Sequence, residues 1–272
     1  MKTYIIVIIT LITSLTAYAQ GSDQYFSLMG QADKAIADSN YVKADSLLTE
    51  ALRLEPANPS NYLIISNLGM VRHYAGRDSM AIASLNMAHD MAPKSVTVLT
   101  NRARVLTDIG RLDEALRDYD TALALDSTLI EPRFYRALIN LSLGHTSTAE
   151  IDVRKLEHEH PSDRFTHLAG AALYSRTARP AEAIACYTRL IHLDDQPEYR
   201  AMRAELYLRD GQLQEASDDI AMAMQAVPDD PALYLMRALL NKARFRPDDA
   251  QADGRRAIEL GADPQVVKAL LK

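Results

Sequence analysis

The fold is decided by one stretch of the sequence, Gly110-Arg-Leu-Asp-Glu-Ala-Leu-Arg-Asp-Tyr-Asp-Thr-Ala-Leu-Ala-Leu-Asp126. An alanine in the place of its Ala115 recurs at intervals of 37, 34, 34, 34, 33 and 34 residues. These alanines are Ala44, Ala81, Ala115, Ala149, Ala183, Ala216 and Ala250. A fixed period of this length is typical of a repeat architecture, in which each repeat is one small supersecondary unit.

A second small residue precedes each of these alanines by twelve positions. The set is Ala32, Gly69, Ala103, Ala137, Ala171, Ala204 and Ala238. Small side chains let two helices approach closely where they cross, so each repeat is predicted to be a tight antiparallel helix pair. Larger residues stand four positions after the first set, on the same helix face, and are placed to fill the space between neighbouring pairs. They are Leu48, Leu85, Tyr119, Val153, Tyr187 and Ile220.

Turn glycines and helix-ending prolines recur with the same period. A glycine recurs between the two helices of a pair, at Gly76, Gly110, Gly144 and Gly211. A proline often follows the second helix and is expected to end it; these prolines are Pro56, Pro93, Pro161 and Pro228. One helix pair cannot bury its apolar face alone, so successive pairs are expected to stack into a solenoid.

The pattern resembles the tetratricopeptide repeat family, in an exported bacterial type. The resemblance covers residues 25–263 in seven units, approximately 25–58, 62–95, 96–129, 130–163, 164–196, 197–230 and 231–264. It implies an all-α fold, an α-solenoid of about seven antiparallel helix pairs wound as a right-handed superhelix with a concave groove. A C-terminal capping helix over residues 265–272 completes this expected fold.

The last repeat departs from the pattern. Phe245 replaces the turn glycine, Pro247 interrupts the turn, and Gly254 stands where a bulky residue is expected to pack. We therefore predict that this pair is the loosest of the seven.

The first nineteen residues have the anatomy of a secretory signal peptide. Lys2 gives a positive start, residues 4–15 are an apolar run, and Ala17-Tyr18-Ala19 is a small-x-small cleavage site. The alternative, an uncleaved membrane anchor, needs about 20 apolar residues, and threonines and a serine dilute this shorter run. The mature protein, residues 20–272, is thus predicted to be one soluble solenoid, periplasmic or secreted. The single cysteine, Cys186, is far from the cleavage site, which argues against a lipid anchor and allows no internal disulfide.

Composition and motifs narrow the functional classes. The net charge of −6 offers no basic footprint for nucleic acid. The sequence contains no phosphate-binding glycine loop, zinc-binding cysteine pair or nucleophile motif. One cluster, Glu157-His158-Glu159-His160, invites a metal site, but its histidines are two residues apart and diverge on a helix. We interpret this cluster as a solvated helix end. Together with the missing motifs, this predicts no enzyme activity, no cofactor and no metal.

Charged residues vary together between repeats. Four repeats carry an arginine on the first helix and an aspartate sixteen residues later: Arg102 with Asp118, Arg136 with Asp152, Arg203 with Asp219 and Arg237 with Asp253. The other three have Gln31, Leu68 or Gly170 first and Leu47, Ser84 or Cys186 second. Residues that vary together imply contact. We therefore predict charge pairs that lock the two helices together, with Cys186 as a small buried thiol; a row of functional carboxylates is the alternative.

Binding is the better functional prospect. In the family that the sequence resembles, the first helix of each pair lines the groove. Carried over by position, the partner-binding lining would be Phe26, Met29, Leu63, Met70, His73, Arg104, Phe134, Leu138, Leu141, Phe165, Leu168, Arg176, Leu208, Arg209, Leu235 and Leu239. A large exposed apolar patch marks an interaction site, although some of these residues could instead be core. Met29 and Asp33 occupy the places of the lysine–asparagine clamp that grips chaperone C-termini, so that ligand is not expected.

Two functions follow. The first is an exported scaffold or adaptor that holds a peptide or helix of a partner protein in its groove, within an envelope-assembly or secretion complex. The second is a structural spacer that associates with itself and has no dedicated ligand. Neither involves nucleic acid or membrane insertion after cleavage.

Export generates the first testable prediction. If the leader is removed after Ala19, the protein isolated from its native host begins at Gln20, and intact-mass measurement will give the mass of residues 20–272. A mass that retains Met1 contradicts cleavage.

Overall fold

The computed structural model describes residues 22–272, so the predicted leader, residues 1–19, lies outside the described residues. Those described residues form fifteen α-helices and no strand. The first seven helices are α1 (Asp23–Ala37), α2 (Tyr41–Leu54), α3 (Asn61–Tyr74), α4 (Asp78–Met91), α5 (Val96–Asp108), α6 (Leu112–Leu125) and α7 (Ile130–Ser142). The remaining helices are α8 (Thr146–Glu159), α9 (Arg164–Arg176), α10 (Pro180–Leu193), α11 (Pro197–Arg209), α12 (Leu213–Ala226), α13 (Pro231–Ala243), α14 (Pro247–Glu259) and α15 (Pro264–Leu271).

The chain divides into two compact halves, residues 22–139 and Asn140–Lys272. In the first half α1 packs on α2, α3 on α4 and α5 on α6; in the second, α9 packs on α10, α11 on α12 and α13 on α14. Within each half successive pairs also contact each other, which makes the all-α solenoid arrangement. Among residues 22–272 no helix has the length and apolarity that crossing a bilayer requires.

Small residues lie at the crossing of the pairs within each half, as the period predicts. Ala103 on α5 and Ala115 on α6 are both completely buried. At Gly69 on α3 the approach is closer still, because a Cβ there would lie 2.5 Å from Cγ of Leu85 on α4. A larger side chain at any of these positions would collide with the partner helix.

The turn inside each pair uses a left-handed residue. Gly76, Gly110, Gly144 and Gly211 have φ between 73° and 81°. Ser39, Ala178 and Phe245 adopt the same conformation with φ of 55°, 53° and 56°. A residue with a Cβ is strained there by roughly 1–2 kcal/mol. The side chain of Phe245 is also 92% exposed, so its aromatic ring contributes little burial to offset that strain.

The residues predicted to fill the space between pairs are buried in five of six cases. Leu48, Leu85, Tyr119, Val153 and Ile220 are buried, whereas Tyr187 is only half-buried. Each predicted stop proline also lies two residues beyond the end of its helix.

The interpretation of Gly254 was wrong, because no bulky side chain is missing there. A Cβ on this residue of α14 would lie 2.6 Å from Cδ1 of Leu271 and 3.1 Å from Cγ1 of Val267. Both belong to the capping helix α15. Glycine is therefore the residue that lets α15 close onto the last pair.

Three of the four predicted arginine–aspartate pairs are confirmed. Arg102 donates from Nε and Nη2 to Asp118, both at 2.7 Å, and Arg203 binds Asp219 in the same way at the same distances. Arg237 binds Asp253 through Nη2 at 2.5 Å. The fourth predicted pair, Arg136 with Asp152, has one member in each half of the chain, and it stays a prediction.

The pair α3–α4 has Leu68 at the arginine position, and an arginine one turn further along α3 takes its place. Arg72, four residues after Leu68, donates to Oγ of Ser84 at 2.7 Å and to Oδ1 of Asp45 on α2 at 3.3 Å. The pair α9–α10 has Gly170 and the buried thiol of Cys186 in these places, so the predicted small buried thiol is confirmed.

The charge pair between α5 and α6 yields a stability prediction. Arg102→Ala should lower the free energy of unfolding by about 2–4 kcal/mol, because it leaves the carboxylate of Asp118, whose side chain is 7% exposed, without its partner. The double variant Arg102→Leu, Asp118→Leu should cost less than the two leucine substitutions summed, since the residues act as a unit. Urea unfolding measures both.

The control is Arg117→Ala on the exposed side of α6, which should stay within about 0.5 kcal/mol of wild type. A further contrast is Arg203→Ala, where Arg200 also reaches Asp219 at 3.2 Å and limits the loss. Strictly additive costs for Arg102 and Asp118 would show that the pair contributes nothing as a pair.

Candidate interaction surface

The sixteen predicted lining residues differ in exposure. Nine are half-buried: Phe26, Leu63, His73, Leu138, Phe165, Leu168, Leu208, Leu235 and Leu239. Two are exposed: Arg176 and Arg209. Five are buried: Met29, Met70, Arg104, Phe134 and Leu141.

Four of the buried residues are apolar core. Met29 packs in the cluster around Tyr25 and Ala32, and Met70 packs with Leu85 and Val105. Phe134 is 2% and Leu141 4% exposed. Buried side chains offer a partner almost no surface. None of these four residues therefore belongs to the candidate surface. The period places them on a first helix, but it does not tell how deeply each one is buried.

Arg104 is a buried cation of the first half, and its charge is already paired. It lies on α5 and forms an ion pair with Glu131 in the first turn of α7. Its guanidinium carbon stands 5.7 Å from the ring centroid of Tyr135. Burial raises the pKa of Tyr74 and of Tyr135, while the charge of Arg104 opposes the increase in both. Arg104 therefore holds α3, α5 and α7 together and is not a free cation for a ligand.

Aromatic rings extend this cluster on both sides. Tyr74 stacks on Tyr41 with ring centroids 5.5 Å apart, and Tyr135 stacks on Tyr119 at 6.0 Å. None of the four tyrosines appears among the predicted lining residues, since each contact joins residues that are far apart in the sequence.

His73 bridges two carboxylates. Its Nδ1 lies 2.7 Å from Oδ1 of Asp78 on α4, and its Nε2 lies 3.1 Å from Oδ2 of Asp108 at the end of α5. Both contacts are hydrogen bonds only if both ring nitrogens carry protons. The bond to Asp108, aided by that to Asp78, raises the pKa of His73 against the opposing effect of burial. Asp108 was missed, although its position four residues after Arg104 places it on the same face of α5.

Most of the predicted lining residues that keep exposed surface lie in the second half of the chain. Leu168 on α9 and Leu235 on α13 occupy the same repeat position, three residues before the small residue of each first helix. Both are half-buried, as is Leu239 one turn further along α13. Leu208 on α11 packs partly against the core formed by Ala204, Ala216 and Ile220, and α11 contacts α13. First helices of this half thus present leucines that are neither core nor fully exposed.

Two exposed arginines end the first helices α9 and α11. Arg209 donates from Nη2 to Oε1 of Glu205 at 2.5 Å, but 66% of its side chain remains exposed. Arg176 is exposed at the last residue of α9. Exposed guanidinium groups on helices that also carry half-buried leucines suit a ligand with apolar and acidic groups.

The acidic–histidine cluster lies at a helix end. The helix α8 ends at Glu159, and the backbone N–H of His160 caps it by donating to the carbonyl of Leu156. His158 and Glu159 are exposed. Within residues 22–272 no group of three or more histidine, cysteine, aspartate or glutamate side chains is arranged to hold a metal ion.

The bridge at His73 generates a pH prediction. Its pKa is raised in the folded state above the value of about 6.5 in the unfolded chain, so its contribution to stability is fully present below about pH 6.5. That contribution is lost as the pH rises through the folded pKa. The free energy of unfolding should therefore fall more steeply between about pH 6 and pH 9 in wild type than in His73→Gln.

The control for this comparison is His192→Gln, which changes an exposed histidine on α10. It should keep the wild-type slope. An NMR titration that gives His73 a pKa below about 6.5 contradicts the bridge.

Comparison with known proteins agrees with this architecture. Residues 96–129 match the family model of the tetratricopeptide repeat. A crystal structure of a tetratricopeptide repeat protein from Parabacteroides merdae superposes with a TM-score of 0.68 at 27% identity, over 92% of this chain and 98% of that one. YrrB, a TPR protein with an unusual peptide-binding site, superposes with a TM-score of 0.57 at 17% identity, over 68% of this chain and 96% of that one.

A curated relative is similar over a small part of its own length. The cellulose synthase operon protein C of Xanthomonas axonopodis pv. citri is 26% identical over 226 residues, which is 80% of this chain and 15% of that protein. The chain spans 15% to 35% of the length of the first curated relatives that it matches. Residues 96–129 are thus similar to one tetratricopeptide repeat, and the described chain is similar in fold to tetratricopeptide repeat proteins.

Proposed function

We propose that this chain is an exported protein-interaction scaffold that holds a peptide or helix of a partner protein against its first helices. The observation that carries the proposal is the set of half-buried leucines on α9 and α13, Leu168, Leu235 and Leu239, with exposed arginines on α9 and α11. The likeness in fold to YrrB, which has a peptide-binding site, supports the same kind of ligand. Export rests on the leader-like residues 1–19.

The energetics favour leucines as the anchors. Complete burial of an exposed leucine in a partner contributes roughly 1.5–3 kcal/mol, and a half-buried leucine gains less because part of its surface is already removed from water. Three such residues can still dominate an interface, since a few anchors carry most of the binding free energy. Arg176 and Arg209 would then orient the ligand through charge-assisted hydrogen bonds to its carboxylates. The ligand we propose is therefore an apolar segment with acidic residues, contributed by a protein of an envelope-assembly or secretion complex.

The proposal predicts the effect of two leucine substitutions. Leu168→Ser with Leu235→Ser should remove the native partner from the proteins captured out of the envelope fraction of the host, because both anchors lie in the proposed contact. Circular dichroism should stay near wild type. The control is Met222→Ser on α12, a methionine that is 44% exposed on a second helix, and it should keep the partner.

Two results contradict the proposal. Equal capture by the leucine variant and by wild type places the partner elsewhere on the chain. Unfolding of the leucine variant shows instead that Leu168 and Leu235 belong to the core. Phe134→Ser serves as the reference for that second case, since Phe134 is buried and truncation of a buried phenylalanine costs about 3–5 kcal/mol.

A self-associating structural spacer is the second candidate, and one feature favours it. Met80, Met87 and Met91 on α4 are 46%, 56% and 50% exposed, and their spacing places them on one face of the helix. Apolar residues grouped on a surface favour association. A molar mass that rises with concentration in light scattering supports the spacer, whereas a constant monomer mass removes it.

A further inference from the structure

The pair α9–α10 contains a cleft where other pairs contain an arginine side chain. The cleft has a volume of about 240 Å³. Its lining residues come from α8, α9, α10 and the loop after α8: Glu157, Pro161, Thr166, His167, Tyr174, Glu182, Ala185, Cys186 and Arg189. Pockets for whole small molecules occupy about 300–1,000 Å³, so this one suits a group the size of a side chain.

The following pair shows what normally fills this place. Arg203 on α11 binds Asp219 on α12 with two hydrogen bonds of 2.7 Å. Its third nitrogen donates to Oγ1 of Thr188 on the preceding second helix at 2.8 Å. Its guanidinium carbon lies 5.7 Å from the ring centroid of Tyr207, four residues further along α11. A guanidinium in this position thus meets an acid, a helix of the previous repeat and a tyrosine ring.

The pair α9–α10 keeps part of that environment without its arginine. Gly170 stands at the arginine position, and Tyr174, four residues later, corresponds to Tyr207. A Cβ on Gly170 would lie 2.8 Å from Sγ of Cys186, 3.4 Å from Cε2 of Tyr174 and 3.6 Å from Oε1 of Glu157. The aspartate is absent, but Glu157 on the preceding second helix, α8, brings a carboxylate to the same space.

The carboxylate of Glu157 is held in place and can accept another bond. The hydroxyl of Tyr174 donates to its Oε1 at 2.7 Å. Burial raises the pKa of Tyr174, so the hydroxyl stays protonated and keeps donating. Within the part of the chain that the structure describes, Oε2 of Glu157 has no hydrogen-bond donor.

One carboxylate of the cleft, that of Glu157, forms no ion pair within the described residues. Two carboxylates, Glu157 and Glu182, and one cation, Arg189, line the cleft. Glu182 is already paired, because Nε of Arg179 donates to its Oε1 at 2.9 Å. Burial, aided by Arg189, lowers the pKa of His167, which keeps its imidazole neutral. Burial likewise raises the pKa of Cys186 to about 11, which keeps its thiol neutral. A guanidinium entering the cleft therefore finds one carboxylate, that of Glu157, without an ion-pair partner.

We propose that this cleft binds a guanidinium group from outside the fold, the side chain of an arginine that is free or part of a partner peptide. The guanidinium would donate to Oε2 of Glu157 and lie beside the part of the Tyr174 ring that is not covered by Arg179, whose guanidinium carbon stands 4.3 Å from the ring centroid. Guanidinium suits this site better than ammonium, because its planar fork matches a carboxylate and packs along an aromatic ring. This binding site does not depend on the leucine surface proposed above.

The single cysteine reports on the cleft. Cys186 lines it and is the only thiol of the chain, so the rate of labelling by a small thiol reagent measures access to this site. N-acetylarginine amide should slow the labelling of wild type roughly tenfold or more at saturation, as a bound ligand excludes the reagent. The matched probe N-acetylcitrulline amide has the same shape without the charge and should give no protection. Free arginine is the second arm: stronger protection by free arginine identifies the amino acid as ligand, and stronger protection by the capped form identifies a peptide.

Two variants test the assigned residues by isothermal titration calorimetry. Glu157→Gln keeps the shape and removes the charge, and it should weaken binding of the capped arginine by roughly tenfold or more. The control Glu215→Gln changes an exposed carboxylate on α12 and should bind like wild type. Gly170→Arg with Cys186→Asp copies the Arg203–Asp219 pair, so it should raise the melting midpoint and abolish binding.

The proposal fails if neither arginine probe protects Cys186, if citrulline protects as well as arginine, or if Glu157→Gln binds unchanged. The last two results do not depend on the folding of the double variant, so the test stands even where that variant is unstable.

Discussion

The close crossing of two helices at small residues is the constraint on which the rest of this structure depends. Where Ala103 meets Ala115, or Gly69 meets Leu85, the helix backbones come so near that a larger side chain has no room. This closeness sets the distance between the helices of a pair and therefore which side chains reach the next pair. Leu85, Tyr119 and similar residues can fill the space between pairs only because that distance is fixed. The same principle lets α15 close on Gly254 at the end of the array.

Charge pairs add direction to this packing. Contacts between alanines resist compression but permit sliding, whereas a guanidinium that holds a carboxylate by two hydrogen bonds fixes one register. Arg102 and Arg203 serve this purpose within their pairs, and Arg72 reaches both its own pair and α2. Buried ion pairs are weak evidence for stability by themselves, because desolvation offsets much of the attraction. Their role here is to fix the alignment of two helices that otherwise meet through small alanine side chains.

The sequence predicts the parts of this fold that repeat, and it fails where a contact occurs once. The crossing alanines were predictable because small residues recur at the same position in successive repeats. The Arg102–Asp118 pair was predictable because its arginine and aspartate vary together between repeats. Phe134 and Met70 were assigned to the surface because the period identifies a helix face, while burial depends on how closely the next helices approach. Arg104, Tyr74 and Tyr135 come from three separate helices, and no spacing along the chain predicts their meeting. The cleft beside Gly170 was likewise not foreseen, since the empty space depends on the side chains around it.

The uneven distribution of these charge pairs has a consequence for cooperativity. In a stacked array each pair contacts mainly its neighbours, so local opening need not spread through the whole chain. Helices α9 and α10 meet through Gly170 and the thiol of Cys186, where α11 and α12 meet through a doubly hydrogen-bonded ion pair. We expect the amides of α9 and α10 to exchange with solvent through openings of lower free energy than those of α11 and α12. The second half of the chain would then contain a segment that loosens while its neighbours keep their structure.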